Sequence, residues 1–188
     1  MKKTAEKILY RGKWVSLKES TWENDHGELL QWEHLERVRG NHAVIILATL
    51  RPSGKVVLIK QFRPGVEGDV IGLPAGICEE GSLDENALRE LKEETGYEGA
   101  ITSISPVMSS FPALSSSTMQ LVHADIDELQ PNNQNPIQNL EAGEEITVHT
   151  MLPSEIPAFI REQQRQGCHI VSGIWYLFCI HSNGSPLV

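Results

Sequence analysis

Polar and apolar residues alternate along positions 8–38, with Trp14, Val15, Leu17, Trp22, Leu29, Leu30, Trp32 and Leu35 supplying the apolar set. Alternation at period two, broken by the turn-forming stretch ENDHGE, predicts strands in an antiparallel meander. The runs AVIILATL (43–50) and KVVLIKQF (55–62) are short, β-branched and separated by RPSG, which predicts a hairpin of two buried strands. RPGVEGDVIGLPAG then reads as a Gly- and Pro-rich loop holding one short strand. Over 83–95 the period becomes helical: Leu83, Ala87, Leu88 and Leu91 form one apolar stripe. Ser82 and Glu85 make an S-x-x-E capping box before it, and Gly96 suits the C-terminal cap. Strands are predicted near 100–108 and 118–126, joined by an exposed SSFPALSSS loop. The Pro/Asn-rich segment 130–143 reads as loop, EEITVHTML as strand and 153–166 as helix, while the apolar stretch 169–181 fits either. Strands surrounding a few helices, without strict βαβ repetition, predict an α/β chain in which helices cover a mixed sheet.

Composition narrows the partners. The 188 residues suffice for one domain with an appendage, and a net charge of −9 argues against nucleic acid or an anionic membrane as partner. Cys78, Cys168 and Cys179 are far apart with no C-x-x-C pair, which favours a reducing cytoplasm over a disulfide framework. The histidines show no H-x-x-x-H spacing, so a zinc site is not expected. IWYLFCI (174–180) is too short to span a bilayer and reads as core, and Trp22 and Trp175 read as packing residues.

Charge patterning supplies the candidate chemistry. Glu90, Glu93 and Glu94 share one face of the predicted helix near its C-terminal end, with Arg89 and Lys92 off to either side. The carboxylates repel one another and oppose the helix dipole, each term costing a few tenths to about 1 kcal/mol. A local rule broken repeatedly at one place points to function. A hard divalent cation would reverse the sign of each term, since it prefers carboxylate oxygen. The alternative is a solvated, Glu-rich helix face.

The flanking residues go further. RELKEETGY (89–97) fits R-E-U-x-E-E-x-G-U, where U is bulky and apolar or aromatic, and LPAG (73–76) precedes it. On these motifs, together with GKW, QWEHLER, KQFRPG, PALS and EEITVH, the chain resembles the ADP-ribose and nucleoside-diphosphate-sugar pyrophosphatase branch of the Nudix hydrolases. The resemblance runs from about residue 8 to the C-terminal helix. It implies a Nudix fold with residues 1–40 as an N-terminal meander for dimerisation and base recognition and 41–188 as the catalytic domain. It implies Mg²⁺, with Mn²⁺ as an alternative, held by Glu90, Glu93, Glu94 and the backbone carbonyl of Ala75. A glutamate of the late loop, Glu144 or Glu145, would act as base or extra ligand, and Arg89 would complete the catalytic set with Glu93. Trp14 and Trp32 would stack on adenine, one from each subunit of a homodimer, and Arg37 and Arg63 would contact diphosphate or ribose. The implied reaction splits the diphosphate of ADP-ribose or a related nucleoside diphosphate sugar into a nucleoside monophosphate and a sugar phosphate.

The chain departs from the family pattern in two places. The full pattern, G-x5-E-x7-R-E-U-x-E-E-x-G-U, is one residue short here, and its first glutamate is missing. In the family that glutamate pairs with the box arginine, so Glu79, Glu80 or Glu85 is expected to satisfy Arg89 instead. Ala113 replaces the usual glycine of Pro-Gly-Leu-Ser, which would be strained if the position requires a positive φ. A Nudix-fold binding or regulatory module with an impaired box is the alternative function.

Overall fold

The computed structural model describes residues 1–180. The end of the expected catalytic domain, 181–188, lies outside the described residues. The meander forms as β1 (Lys2–Arg11), β2 (Val15–Glu23) and β3 (Leu29–Arg37), an antiparallel three-stranded sheet. β1 is exposed along its whole length.

Next come β4 (His42–Arg51), β5 (Val56–Arg63), β6 (Gly68–Gly72) and β7 (Ala75–Ile77). Helix α1 (Leu83–Thr95), β8 (Ala100–Ile104) and β9 (Thr118–Asp127) follow. The chain continues as α2 (Pro131–Gln134), β10 (Ile146–Met151), α3 (Ile156–Arg165), β11 (His169–Ile170) and α4 (Ser172–Phe178). The mixed sheet has the order β11-β6-β5-β4-β9-β8, with β10 paired to β5 and β7 to β4.

Alternation along β4 sends its side chains to two cores. Val44, Ile46, Ala48 and Leu50 pack with Val57, Val122 and the helix residues Ala87 and Leu91. Leu47 lies in the opposite cluster with Val56, Leu58, Ile71 and the residues Ile156, Ile160 and Ile174 of α3 and α4. A sheet buried on both faces needs helices on both, which is the expected α/β layering.

Several expectations change, the first being that the Gly- and Pro-rich segment holds one strand: β6 lies within it and β7 begins at its end. β4 and β5 pair only at Thr49↔Val56, so the predicted hairpin opens at once: β4 prefers β9 and β7, and β5 prefers β6 and β10. Segment 130–143 is not all loop, because Pro131 starts the short helix α2. Of the stretch 169–181, the described residues 169–180 form a short strand and then a helix, and their apolar side chains do not all enter the core. Ile174 and Cys179 are buried, whereas Trp175, Tyr176 and Leu177 are substantially exposed. Ala113 has no positive φ and carries no strain of the anticipated kind. Among the described residues no helix is long and apolar enough to cross a membrane.

Candidate active site

Helix α1 is set by its ends. The Ser82 hydroxyl accepts from the Glu85 amide while the Glu85 carboxylate accepts from the Ser82 amide, so the predicted capping box is present. Gly96 takes the left-handed conformation, φ 78°, and its N–H donates to the Lys92 carbonyl. The buried stripe of Ala87 and Leu91 then fixes the rotation of the helix against the sheet.

That rotation brings the acidic residues against β7. Glu94 is 2 % exposed, and its carboxylate accepts a 2.9 Å hydrogen bond from the Ala75 amide. Burial pushes its carboxyl up to about 8, with the charges of Glu90 and Glu144 adding to the shift. Glu90 is raised too, mainly by burial. A Cβ placed on Gly76 would lie 1.9 Å from the Glu90 carboxylate carbon, so only glycine leaves that carboxylate its place beside the strand.

The repulsion within the triplet is relieved from inside the helix. Arg89 donates to Glu93 at 2.7 Å and to Glu90 at 2.9 Å, and a third bond of 3.2 Å reaches Asn86 Oδ1. Arg89 therefore bridges the acids instead of standing to one side, whereas Lys92 does turn away, to Glu98. Glu79, Glu80 and Glu85 are not its partners. Asn86, 2 % exposed, takes that place: its Oδ1 also accepts from the Glu79 amide, and its Nδ2 donates to the Ser82 carbonyl. One amide thus ties the shortened loop to both the helix start and the arginine. An amide at i−3 from an arginine was the only sequence signal for it.

The remaining predicted residues divide. Glu144 is half-buried and its charge acts on both Glu90 and Glu94, whereas Glu145 is exposed. Arg63 is near enough to lower Glu94 slightly. With Ala75 it lines a cavity of about 340 Å³ that also includes Gln61, Met108, Leu121 and Tyr176. Gln61 Oε1 is buried there with no hydrogen-bond partner among the described residues. Trp14, Trp32 and Arg37 sit apart from the acids, on the three-stranded sheet. Val38 bonds Trp14, and Trp32 pairs with Ser20 in register. Six residues of strand therefore separate the backbone positions of the two tryptophans, roughly 20 Å at the usual rise. They cannot clamp one base within a single chain.

Among the described residues no three His, Cys, Asp or Glu side chains converge as a ready-made metal cage. The donor set nevertheless fits a hard cation. Its atoms are carboxylate oxygens, the buried Glu94 makes no ion pair among the described residues, and Gly76 leaves room for Glu90. A cation binding here would compete with Arg89 for Glu90 and Glu93.

The NUDIX domain family matches residues 40–169. An ADP-ribose pyrophosphatase of Saccharomyces cerevisiae is 35% identical over 164 residues, 82% of this chain and 71% of its own length. An uncharacterized Nudix hydrolase of Schizosaccharomyces pombe is 40% identical over 71% of this chain and 69% of its own. An ADP-sugar pyrophosphatase of Mus musculus is 33% identical over 71% of this chain and 65% of its own. In fold, the chain is similar to a crystal structure of an ADP compounds hydrolase, with TM-score 0.67 and 21% identity over 86% of this chain and 84% of that one. With the box residues on α1 lying against the glycine strand, the chain belongs to the Nudix hydrolase family.

Proposed function

We propose that this chain is a divalent-metal-dependent hydrolase of the diphosphate linkage in ADP-ribose or a related nucleoside diphosphate sugar. The products are a nucleoside monophosphate and a sugar phosphate. The observation that carries the reading is the carboxylate of Glu90 held against Gly76, next to the buried Glu94. Glu90, Glu93 and Glu94 hold Mg²⁺ or Mn²⁺, helped by the Ala75 carbonyl. When bound, the metal neutralises the diphosphate and activates water. Glu144 is the better placed of the two late-loop glutamates to take a proton on its carboxylate, because it already faces Glu90 and Glu94. Arg63, beside the cavity and the acids, binds phosphate or ribose, while Arg89 orients Glu90 and Glu93.

The three-stranded sheet supports a homodimer. Tyr10, Trp14, Leu29 and Trp32 are each at least half exposed on it, a large apolar surface for a monomer to leave uncovered. With the two tryptophans too far apart to meet in one chain, a base is stacked by Trp14 of one copy and Trp32 of the other.

The test is a panel of ADP-ribose, ADP-glucose, GDP-mannose and NADH with Mg²⁺, repeated in EDTA, with products identified. Turnover that EDTA abolishes is expected; no turnover on any substrate sinks the reading. Gly76→Ala is a sharper arm. The flexible Glu90 side chain can move aside at little cost in stability, yet the move takes the carboxylate out of the site. The pairing of Arg89 with Glu90 and Glu93 supports a second reading, a nucleotide-binding module without catalysis. It predicts calorimetric binding of ADP-ribose with no products, unaffected by Glu94→Gln.

A further inference from the structure

We infer that Gln138 is a positioning residue that sets the spacing between the acidic helix and the strand that follows Glu144. The inference rests on the hydrolase reading above. The Gln138 side-chain nitrogen carries two N–H groups, and both are committed. One donates to the Glu94 carbonyl at 2.6 Å and the other to the Ile146 carbonyl at 3.1 Å. The Glu94 carbonyl is one of those the end of an α-helix leaves without an internal partner. Ile146 is the first residue of β10 and stands directly after Glu144 and Glu145. One nitrogen therefore joins the last turn of the acidic helix to the strand that carries the late glutamates.

The surrounding contacts show that this join is built rather than incidental. The neighbouring Asn139 amide donates to the Glu93 carbonyl at 2.9 Å, so consecutive residues of the loop cap consecutive carbonyls of the helix. Loop backbone is pressed against the helix cap: a Cβ on Gly96 would lie 2.4 Å from the Ile137 nitrogen. Farther back, the buried Asn133 fastens the same segment, donating to the Glu98 and Asp127 carbonyls and accepting from the Glu98 amide. A segment that reads in sequence as one long flexible approach is thus anchored through residue 139. Beyond it, 141–143 are exposed and held only by a local turn in which Glu141 and Glu144 bond one another. Glu144 hangs between the Gln138–Asn139 anchor and β10, and the Gln138 side chain ties the helix to the first residue of β10.

Removing the two N–H groups leaves the Asn139 bond and the Gly96 contact in place, so the loop stays docked while the span to β10 slackens. A misplacement of about 1 Å at a reacting group costs on the order of 10²-fold in rate. Gln138→Met, close in volume but without donors, is expected to lower kcat about 10- to 100-fold with KM changed less than about two-fold. The decisive measurement is a double-mutant cycle with Glu144→Gln. If Gln138 acts by placing Glu144, the double variant is no slower than Glu144→Gln alone; a multiplicative loss overturns the inference. Gln134→Leu, on the same segment but with its side chain bonded to the Leu129 carbonyl rather than to the helix or β10, is expected to leave kcat unchanged.

A second readout is independent of turnover. Amide hydrogen exchange in the segment 140–146 of the full chain is expected to quicken about tenfold or more in Gln138→Met, with the middle of α1 unchanged; unaltered exchange overturns the inference. Should the Met variant not fold, Gln138→Asn keeps the amide but draws it back by one methylene, and it is read by the same exchange experiment. Absence of turnover in the unmodified chain counts against the hydrolase reading, and exchange then decides the role of Gln138 alone.

Discussion

The two sheets of this molecule are built from similar alternating strands but completed differently. In the eight-stranded sheet both faces are closed by the chain's own helices, and Val44, Ile46, Leu58 and Ile71 are fully buried. In the three-stranded sheet the larger apolar side chains remain in solvent, with Trp14 70 % and Leu29 65 % exposed. Its own stabilisation comes from backbone pairing and surface ion pairs, including Lys18 between Glu6 and Glu36. Exposed pairs of that kind each contribute only about 0–1 kcal/mol. Two or three strands without a covered face are marginal in water. The first sheet is closed by the chain itself, whereas the second leaves its apolar side chains to the proposed second copy.

The largest expected effects follow from that contrast. Leu91→Ala empties a fully buried position between α1 and the sheet and should destabilise the chain by about 2–5 kcal/mol in chemical denaturation. Leu29→Ser on the meander should change monomer stability by less than about 0.5 kcal/mol. It should instead weaken self-association, read as a shift in dissociation constant by sedimentation. Equal losses of stability at the two positions would mean that the sheets are not completed differently.

Next in size is Asn86→Ala. It leaves the Glu79 amide without its partner and takes one of two bonds from the Ser82 carbonyl, which keeps the Asn86 amide, at a cost of about 1 kcal/mol. It also frees Arg89 on one side, so kcat should fall further than the loss of stability alone explains. A variant with reduced stability but full kcat would show that Asn86 serves the fold only.

What the sequence made legible was local. The capping box, the apolar stripe and the left-handed Gly96 lie within one helix and follow from residue type alone. The meander was legible because its strands are neighbours in sequence. The β4–β5 hairpin was misread because the competing partners of these strands, β9 and β10, lie far along the chain and leave no local mark. Arg89 was expected to pair with Glu79, Glu80 or Glu85. Side-chain reach in three dimensions chose Glu90, Glu93 and Asn86 instead. Glu144 and Glu145 both lie ahead of β10, so residue type and strand period could not choose between them; only the folded chain leaves Glu144 half-buried and Glu145 exposed.

The smallest effect separates the sheets by pH. His149, in β10, is half-buried against Phe159, its Nε2 buried with no hydrogen-bond partner among the described residues, and burial lowers its pKa below the ordinary value of 6.5. The unfolded chain then binds this proton first, so the stability contribution is complete above pH 6.5 and is lost as pH falls from there towards the lowered value. Glu6, in the meander, is held at about 2 by Lys3 and Lys18. Its contribution is complete above pH 4.5 and fades only as pH falls from there towards 2. The eight-stranded sheet should therefore weaken first on acidification. Two signals can follow the sheets separately in a Trp175→Phe background, because the other three tryptophans, Trp14, Trp22 and Trp32, lie in or beside the meander while the long helices pack on the other sheet. Helical circular dichroism measured in fixed denaturant should lose stability between pH 7 and 5. Tryptophan fluorescence should add its own change below pH 4.5. His149→Phe removes the first window and Glu6→Gln the second. If either substitution shifts both windows equally, the sheets unfold as one unit and their different completion does not extend to their response to acid.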